Sequence, residues 1–162
     1  MRLKKKRVKS LASLNNAQKA RAYAFLLLKF RLRSENELAS RLRRKRFSEL
    51  VIQDTISFLR DKEFIDDHIF AKSWVAFRLK RPLGFRKIEQ ELARKGLAKE
   101  AIQGALAQAK EYYQESQVVS QLAEKRFSKL KNIEPLKAKA RVYGYLMRRG
   151  FSPDIIKDEL TA

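Results

Sequence analysis

Cysteine is absent from this 162-residue chain, and histidine occurs once, at His68. The first absence excludes disulfide staples, thiol chemistry and cysteine-built zinc or iron–sulfur sites. The second excludes a multi-histidine metal centre and a proton relay between two imidazoles. Glycine (5) and proline (3) are scarce, which leaves room for long, uninterrupted helices. The few glycines are scattered, and no G-x-x-x-x-G-K-[ST] phosphate loop occurs, so no ATPase activity of the chain's own is expected. Long hydrophobic runs are missing too. The longest, Ala22–Leu28, is bounded by Arg21 and Lys29 and falls far short of the ~20 residues that span a bilayer. The basic opening Met1-Arg2-Leu3-Lys4-Lys5-Lys6-Arg7 is followed by no apolar core or cleavage site of the kind a secretory signal needs. A soluble cytoplasmic protein without membrane contact is expected. A mitochondrial-type presequence is the alternative for the basic, acid-free first fifteen residues.

What the chain has in excess is positive charge. Lys and Arg total 38 against 18 Asp and Glu, a net charge of +20. With 44% hydrophobic residues it is nonetheless of globular rather than disordered type. Residues 1–50 hold 16 basic and 3 acidic side chains, so the field is strongest at the N-terminal end. Lys4, Lys5, Lys6 and Arg7 lie in a stretch read as a flexible arm over 1–15, and Arg41, Arg43, Arg44, Lys45 and Arg46 form a second cluster. Such a field attracts polyanions and speeds their encounter.

Three segments repeat: Leu42-Arg43-Arg44-Lys45-Arg46-Phe47-Ser48, Leu92-Ala93-Arg94-Lys95-Gly96-Leu97-Ala98 and Leu146-Met147-Arg148-Arg149-Gly150-Phe151-Ser152. Matches continue through Leu38, Ile88 and Val142 upstream and Ile52, Ile102 and Ile156 downstream. A period near fifty marks repeated supersecondary units. Each unit reads as three helices. In the first, Ala20, Ala24, Leu27, Leu28 and Arg31 mark helix one. Ser34-Glu35-Asn36-Glu37 is a capping box opening helix two, and Ser48 caps a third helix with an apolar face of Val51, Ile52, Thr55, Ile56 and Leu59. In the second unit Asp66 or Asp67 caps helix one, and in the third Ser152 and Pro153 open the last helix. The expected fold is all-α: a basic arm at 1–15, then three-helix repeats at 16–65, 66–114 and 115–162. One fifty-residue unit buries little surface alone, so in-line stacking into an elongated array is expected.

Gly96 and Gly150 sit where a helix ends on a left-handed residue, and the first repeat has Arg46 there. Either that turn differs, or its strain of roughly 1 kcal/mol is tolerated for an added charge. The pairs Arg44 and Lys45, Arg94 and Lys95, Arg148 and Arg149 close the second helix of each repeat. Cations there offset the helix dipole; stacked in line, they would also form a basic ladder for a phosphate backbone or an acidic protein surface. Phe70, Trp74 and Phe77 follow helical spacing and read as core, and of Tyr112 and Tyr113 one is expected outside. For catalysis, the acids Asp66-Asp67 and the lone His68 read as helix-start residues, so no catalytic residue, metal or cofactor is expected.

The string Phe64-Ile65-Asp66-Asp67, Phe70-Ala71, Trp74, Arg78, Gly84, Ile88, Glu91-Leu92, Lys95-Gly96-Leu97 and Ile102 resembles the RecX regulatory protein family. The third repeat joins through Leu146, Gly150-Phe151 and Ile156. The resemblance covers residues 17–162, with Arg46 a departure. It implies tandem three-helix repeats with a curved, basic surface. It also implies a regulator that binds RecA recombinase filaments on single-stranded DNA and lowers their ATPase and strand exchange; a monomer is expected, with binding to duplex DNA left open. Charge and repeats alone fit a second reading, a sequence-independent nucleic-acid-binding helical repeat protein without a protein partner.

Overall fold

The computed structural model describes residues 2–161, with side chains from residue 15 onward. Nine α-helices and no strand occur among the described residues: α1 (Arg2–Phe30), α2 (Glu35–Arg44), α3 (Glu49–Asp61), α4 (Asp67–Leu79), α5 (Phe85–Arg94), α6 (Lys99–Lys110), α7 (Glu115–Phe127), α8 (Pro135–Arg149) and α9 (Pro153–Thr161). None is long and apolar enough to cross a membrane. Helix α1 takes in residues 2–15, read from the sequence as an arm ahead of the first repeat. That stretch is rich in Lys, Arg and Leu and has no Gly or Pro, a composition that favours helix.

The helix boundaries follow local chemistry. Ser34 and Glu37 form the capping box: the Glu37 N–H donates to Ser34 Oγ at 3.1 Å and the Ser34 N–H to Glu37 Oε2 at 3.3 Å. Asp66 Oδ1 accepts from the N–H groups of His68 and Ile69 at 2.6 and 3.2 Å, which makes Asp66 rather than Asp67 the cap of α4. Ser152 Oγ accepts from the Ile155 N–H at 3.2 Å, with Pro153 at the first position of α9.

Two compact units divide the chain. The first is Met1–Phe70 with Lys95–Leu97; the second is Ala71–Arg94 with Ala98–Ala162. In the first, Ala20, Ala24, Leu38, Leu42, Ile52, Ile56, Leu59 and Ile65 form one buried cluster, so the stripes of α1, α2 and α3 meet as their spacing requires. In the second, Val119, Ala123, Val142, Leu146, Phe151 and Ile156 join α7, α8 and α9, while Ala71, Val75, Ile88, Leu92, Ile102 and Leu106 are buried along α4, α5 and α6.

Thr55 is fully buried in the first core, and its hydroxyl has no hydrogen-bond partner among the described residues. A buried, unpaired hydroxyl carries a desolvation cost. Thr55→Val is therefore expected to stabilise the protein by about 1 kcal/mol, a rise of about 3 °C in a thermal melt followed by circular dichroism.

The aromatic stripe differs from its expected place. Phe70 is buried, but Trp74 is only half-buried and Phe77 is 56% exposed. Ala71 and Val75 take the inner face of α4. At ~100° per residue, Phe77 lies on roughly the opposite side of the helix from Val75. Tyr112 is exposed while the Tyr113 hydroxyl donates to the Leu83 carbonyl at 2.9 Å, as expected of adjacent helix-end residues.

The left-handed turns separate by their neighbours. Arg46, Gly96 and Gly150 all have positive φ, at 61°, 80° and 87°, so the first repeat makes the same turn without glycine. A Cβ on Gly96 would stand 2.6 Å from Asn36 Cβ, and one on Gly150 would stand 2.6 Å from the Lys87 backbone nitrogen. Arg46 is exposed. The turn therefore does not differ, and the first repeat carries the local backbone strain of a side chain there.

Candidate functional site

The three basic pairs end α2, α5 and α8, and the two members of each pair do different things. Arg44, Arg94 and Arg148 are exposed and have no ion-pair partner among the described residues. The second members turn back onto the protein. Lys45 Nζ lies 5.3 Å from the Tyr23 ring centroid. Lys95 Nζ pairs with Glu37 Oε1 at 2.7 Å and lies 5.6 Å from the Phe70 ring. Arg149 donates to the Pro82 carbonyl at 2.8 Å and sits 4.9 Å from the Tyr145 ring. Cation–π contacts and an amphipathic stem make Lys95 and Arg149 part of the packing, while Lys45 stays exposed beside its ring.

In the second unit, the exposed members Arg94 and Arg148 meet at one cleft of about 390 Å³. Its walls are Arg86, Lys87, Gln90, Glu91 and Arg94 of α5, with Met147, Arg148 and Gly150 at the end of α8. Arg86, Gln90 and Arg94 stand at i, i+4 and i+8, one face of a helix. The end of α8 is held against α5 by backbone contact: the Gly84 N–H donates to the Arg149 carbonyl at 2.9 Å. The only acid in the wall, Glu91, accepts two bonds from Arg78 at 2.7 and 2.6 Å and one from the Trp74 indole N–H at 3.2 Å. Its charge is thereby matched from behind, and the cleft presents the positive charge of Arg86, Lys87, Arg94 and Arg148. Planar guanidinium forks at a solvent-open cleft suit phosphate oxygens.

The remaining sequence candidates fall elsewhere. Arg41 and Arg46 are exposed in the first unit. Arg43 pairs with Glu49 through bonds of 2.7 and 3.1 Å. The side chains of Lys4, Lys5, Lys6 and Arg7 lie outside the described residues. Arg86 and Lys87 were not among the sequence candidates. For Arg86 the signal was present in the eight-residue helical spacing to Arg94; Lys87 had none.

Both acids at the start of α4 accept backbone hydrogen bonds. Asp66 is occupied as a cap, and Asp67 Oδ1 accepts from the Glu35 N–H at 3.0 Å; burial pushes the Asp67 carboxyl above its usual range. No group of three His, Cys, Asp or Glu side chains is arranged for a metal among the described residues.

Lys95 has a measurable structural role. Burial works against ionisation of Glu37, but hydrogen bonds from Arg31 and Lys95 outweigh it and hold the carboxyl at about 2. An ordinary Glu titrates near ~4.3. The folded value is the lower one, so this contribution to stability is fully present above about 4.3 and is lost as pH falls through about 2. Lys95→Gln should lower stability at neutral pH and move acid unfolding to higher pH. Circular dichroism melts between about pH 7 and pH 2 test this, and an unchanged acid profile would contradict it.

Three family models match in order: the RecX first three-helix domain over residues 20–59, the second over 66–106 and the third over 113–160. A "Regulatory protein RecX" from Pasteurella multocida is 34% identical over 133 residues, covering 82% of this chain and 80% of that protein. One from Mycobacterium sp. (strain KMS) is 35% identical over 152 residues, covering 91% and 82%. A crystal structure of RecX from Lactobacillus salivarius superposes with a TM-score of 0.81 at 24% identity, over 91% of this chain and 96% of that one. A second, a crystal structure of regulatory protein RecX, gives 0.82 at 25% identity, over 95% and 77%. With all three of its three-helix repeats matched in sequence order, the chain belongs to the RecX family of regulatory proteins.

Proposed function

We propose that this protein restrains RecA: it binds RecA filaments on single-stranded DNA and lowers their ATPase and strand exchange, acting as a monomer in the cytoplasm. Family membership across all three repeats carries the reading. The net charge of +20 and the cleft of Arg86, Lys87, Arg94 and Arg148 support its nucleic-acid half. In that half, the guanidinium groups contact backbone phosphates, which position the protein without reading sequence. The chain is a binding regulator rather than an enzyme on this reading.

A salt titration tests the DNA part. Log affinity for bare single-stranded DNA should fall linearly with log salt, by about 0.7 per phosphate neutralised. Fluorescence anisotropy on a labelled oligonucleotide measures it, and salt-insensitive binding would contradict the charge argument. The second reading, a nucleic-acid binder without a protein partner, is favoured by the charge alone. It predicts equal affinity for bare and RecA-coated strands at one salt concentration, where RecA restraint predicts tighter binding to the coated strand.

A further inference from the structure

Residues 68–88 contain Lys72, Arg78, Lys80, Arg81, Arg86 and Lys87 and no acid at all. In the middle of this stretch, on α4, Phe77 holds its ring out to solvent at 56% exposure. Its ring rests against Trp74, with centroids 6.1 Å apart and planes at 51°. Trp74 is itself held in place: its indole N–H donates to Glu91 at 3.2 Å, and Arg78 grips the same carboxylate through two bonds. Lys80 and Arg81, at i+3 and i+4 from Phe77, are both exposed. An apolar ring standing on an anchored second ring, with cations beside it and no competing carboxylate in the local sequence, suits a polyanion that carries flat apolar faces.

We propose that Phe77, backed by Trp74, is a stacking surface for an unpaired nucleobase, with Lys80 and Arg81 on the flanking phosphates. Base–aromatic stacking beside a basic surface is how single strands are held without sequence preference. A duplex keeps its base faces inside its own stack and offers the ring nothing. The site therefore gives the protein a preference for single strands that charge alone does not supply. The inference rests on the nucleic-acid part of the proposed function and adds to it the chemical group that is recognised.

Trp74 is the only tryptophan in the chain, so its emission reports on this site directly. Binding of a thymidine oligonucleotide should quench Trp74 fluorescence, and a duplex of equal length should quench it little. Phe77→Ala should weaken binding of the oligonucleotide by about 5- to 150-fold, the value of one stacked base, and leave duplex binding within about twofold. Phe77→Tyr should bind as the parent does, and Phe77→Leu, apolar but without a ring face, should lose as much as Phe77→Ala. A Phe77→Ala variant that binds both nucleic acids like the parent overturns the stacking site and leaves the phosphate-binding cleft standing. If that variant instead loses affinity only for RecA-coated strands, the ring meets protein, and the proposal is equally overturned. Failure of the parent itself to bind the bare oligonucleotide at low salt would remove the nucleic-acid reading together with the stacking site.

Discussion

Replacing Arg86, Arg94 and Arg148 together by Gln should weaken binding to single-stranded DNA by on the order of 100-fold at low salt, taking about 1 kcal/mol for each phosphate contact. The salt dependence should flatten by about 0.7 per charge removed. Gln keeps helix propensity close to that of Arg, and the three side chains are exposed, so folding should survive. The comparison that gives the result meaning is Lys95→Gln. Lys95 has the same sequence role as Arg149 and follows Arg94 directly, yet its ammonium is paired with Glu37 at 2.7 Å. Its loss should appear in stability and change DNA affinity far less than the loss of Arg94. Anisotropy titrations of the four proteins, with melts as the folding control, measure both. Equal losses of affinity from Arg94→Gln and Lys95→Gln would show that the pairs act as undifferentiated charge.

The second large effect is on folding. Gly150→Ala should destabilise the second unit by about 3 kcal/mol. Roughly 1 kcal/mol comes from a side chain in the left-handed region, and the rest from overpacking against α5. The φ of 87° and the approach of the new Cβ to the Lys87 backbone set that sum. Lys87 cannot retreat easily, because the neighbouring Gly84 N–H is bonded to the Arg149 carbonyl at the same turn. The mirror experiment is Arg46→Gly, at the equivalent, exposed turn with φ 61°. Relief of strain there should stabilise by up to about 1 kcal/mol. Urea unfolding of both variants measures the pair. A neutral Gly150→Ala would mean that the turn relaxes and that α8 is not clamped to α5 through it.

These two experiments separate what sequence can express from what it cannot. Caps and stripes are local: Ser34 with Glu37, Asp66 ahead of α4, and Ser152 with Pro153 act within four residues of one another. Their helices could be read directly from spacing. The repeat itself was visible because Leu42, Leu92 and Leu146 lead equivalent strings. The basic pairs were equally visible as types, but their division of labour was not. It depends on Glu37, 58 residues from Lys95 in sequence, and on Pro82, 67 residues from Arg149. The stripe of α4 failed for a different reason. Phe70, Trp74 and Phe77 satisfy helical spacing as well as Phe70, Ala71 and Val75 do, and side-chain size favoured the aromatic set. Which arc faces inward is decided by what packs against α4, and there Ala71 and Val75 are the buried residues. Arg86 was legible in principle, since Arg86, Gln90 and Arg94 share one face of α5, whereas Lys87 stands off that face. They gain significance only when the end of α8 brings Arg148 to that face.

The claim on which the functional account depends is restraint of RecA, and the most direct measurement is RecA's ATPase on single-stranded DNA titrated with this protein. Hydrolysis should fall as the protein is added, and it should fall less with the Arg86, Arg94 and Arg148 triple variant at the same concentration. RecA hydrolysis that stays unchanged with the folded parent in excess, while the parent still binds bare single-stranded DNA, would contradict the account and leave a nucleic-acid-binding repeat protein in its place.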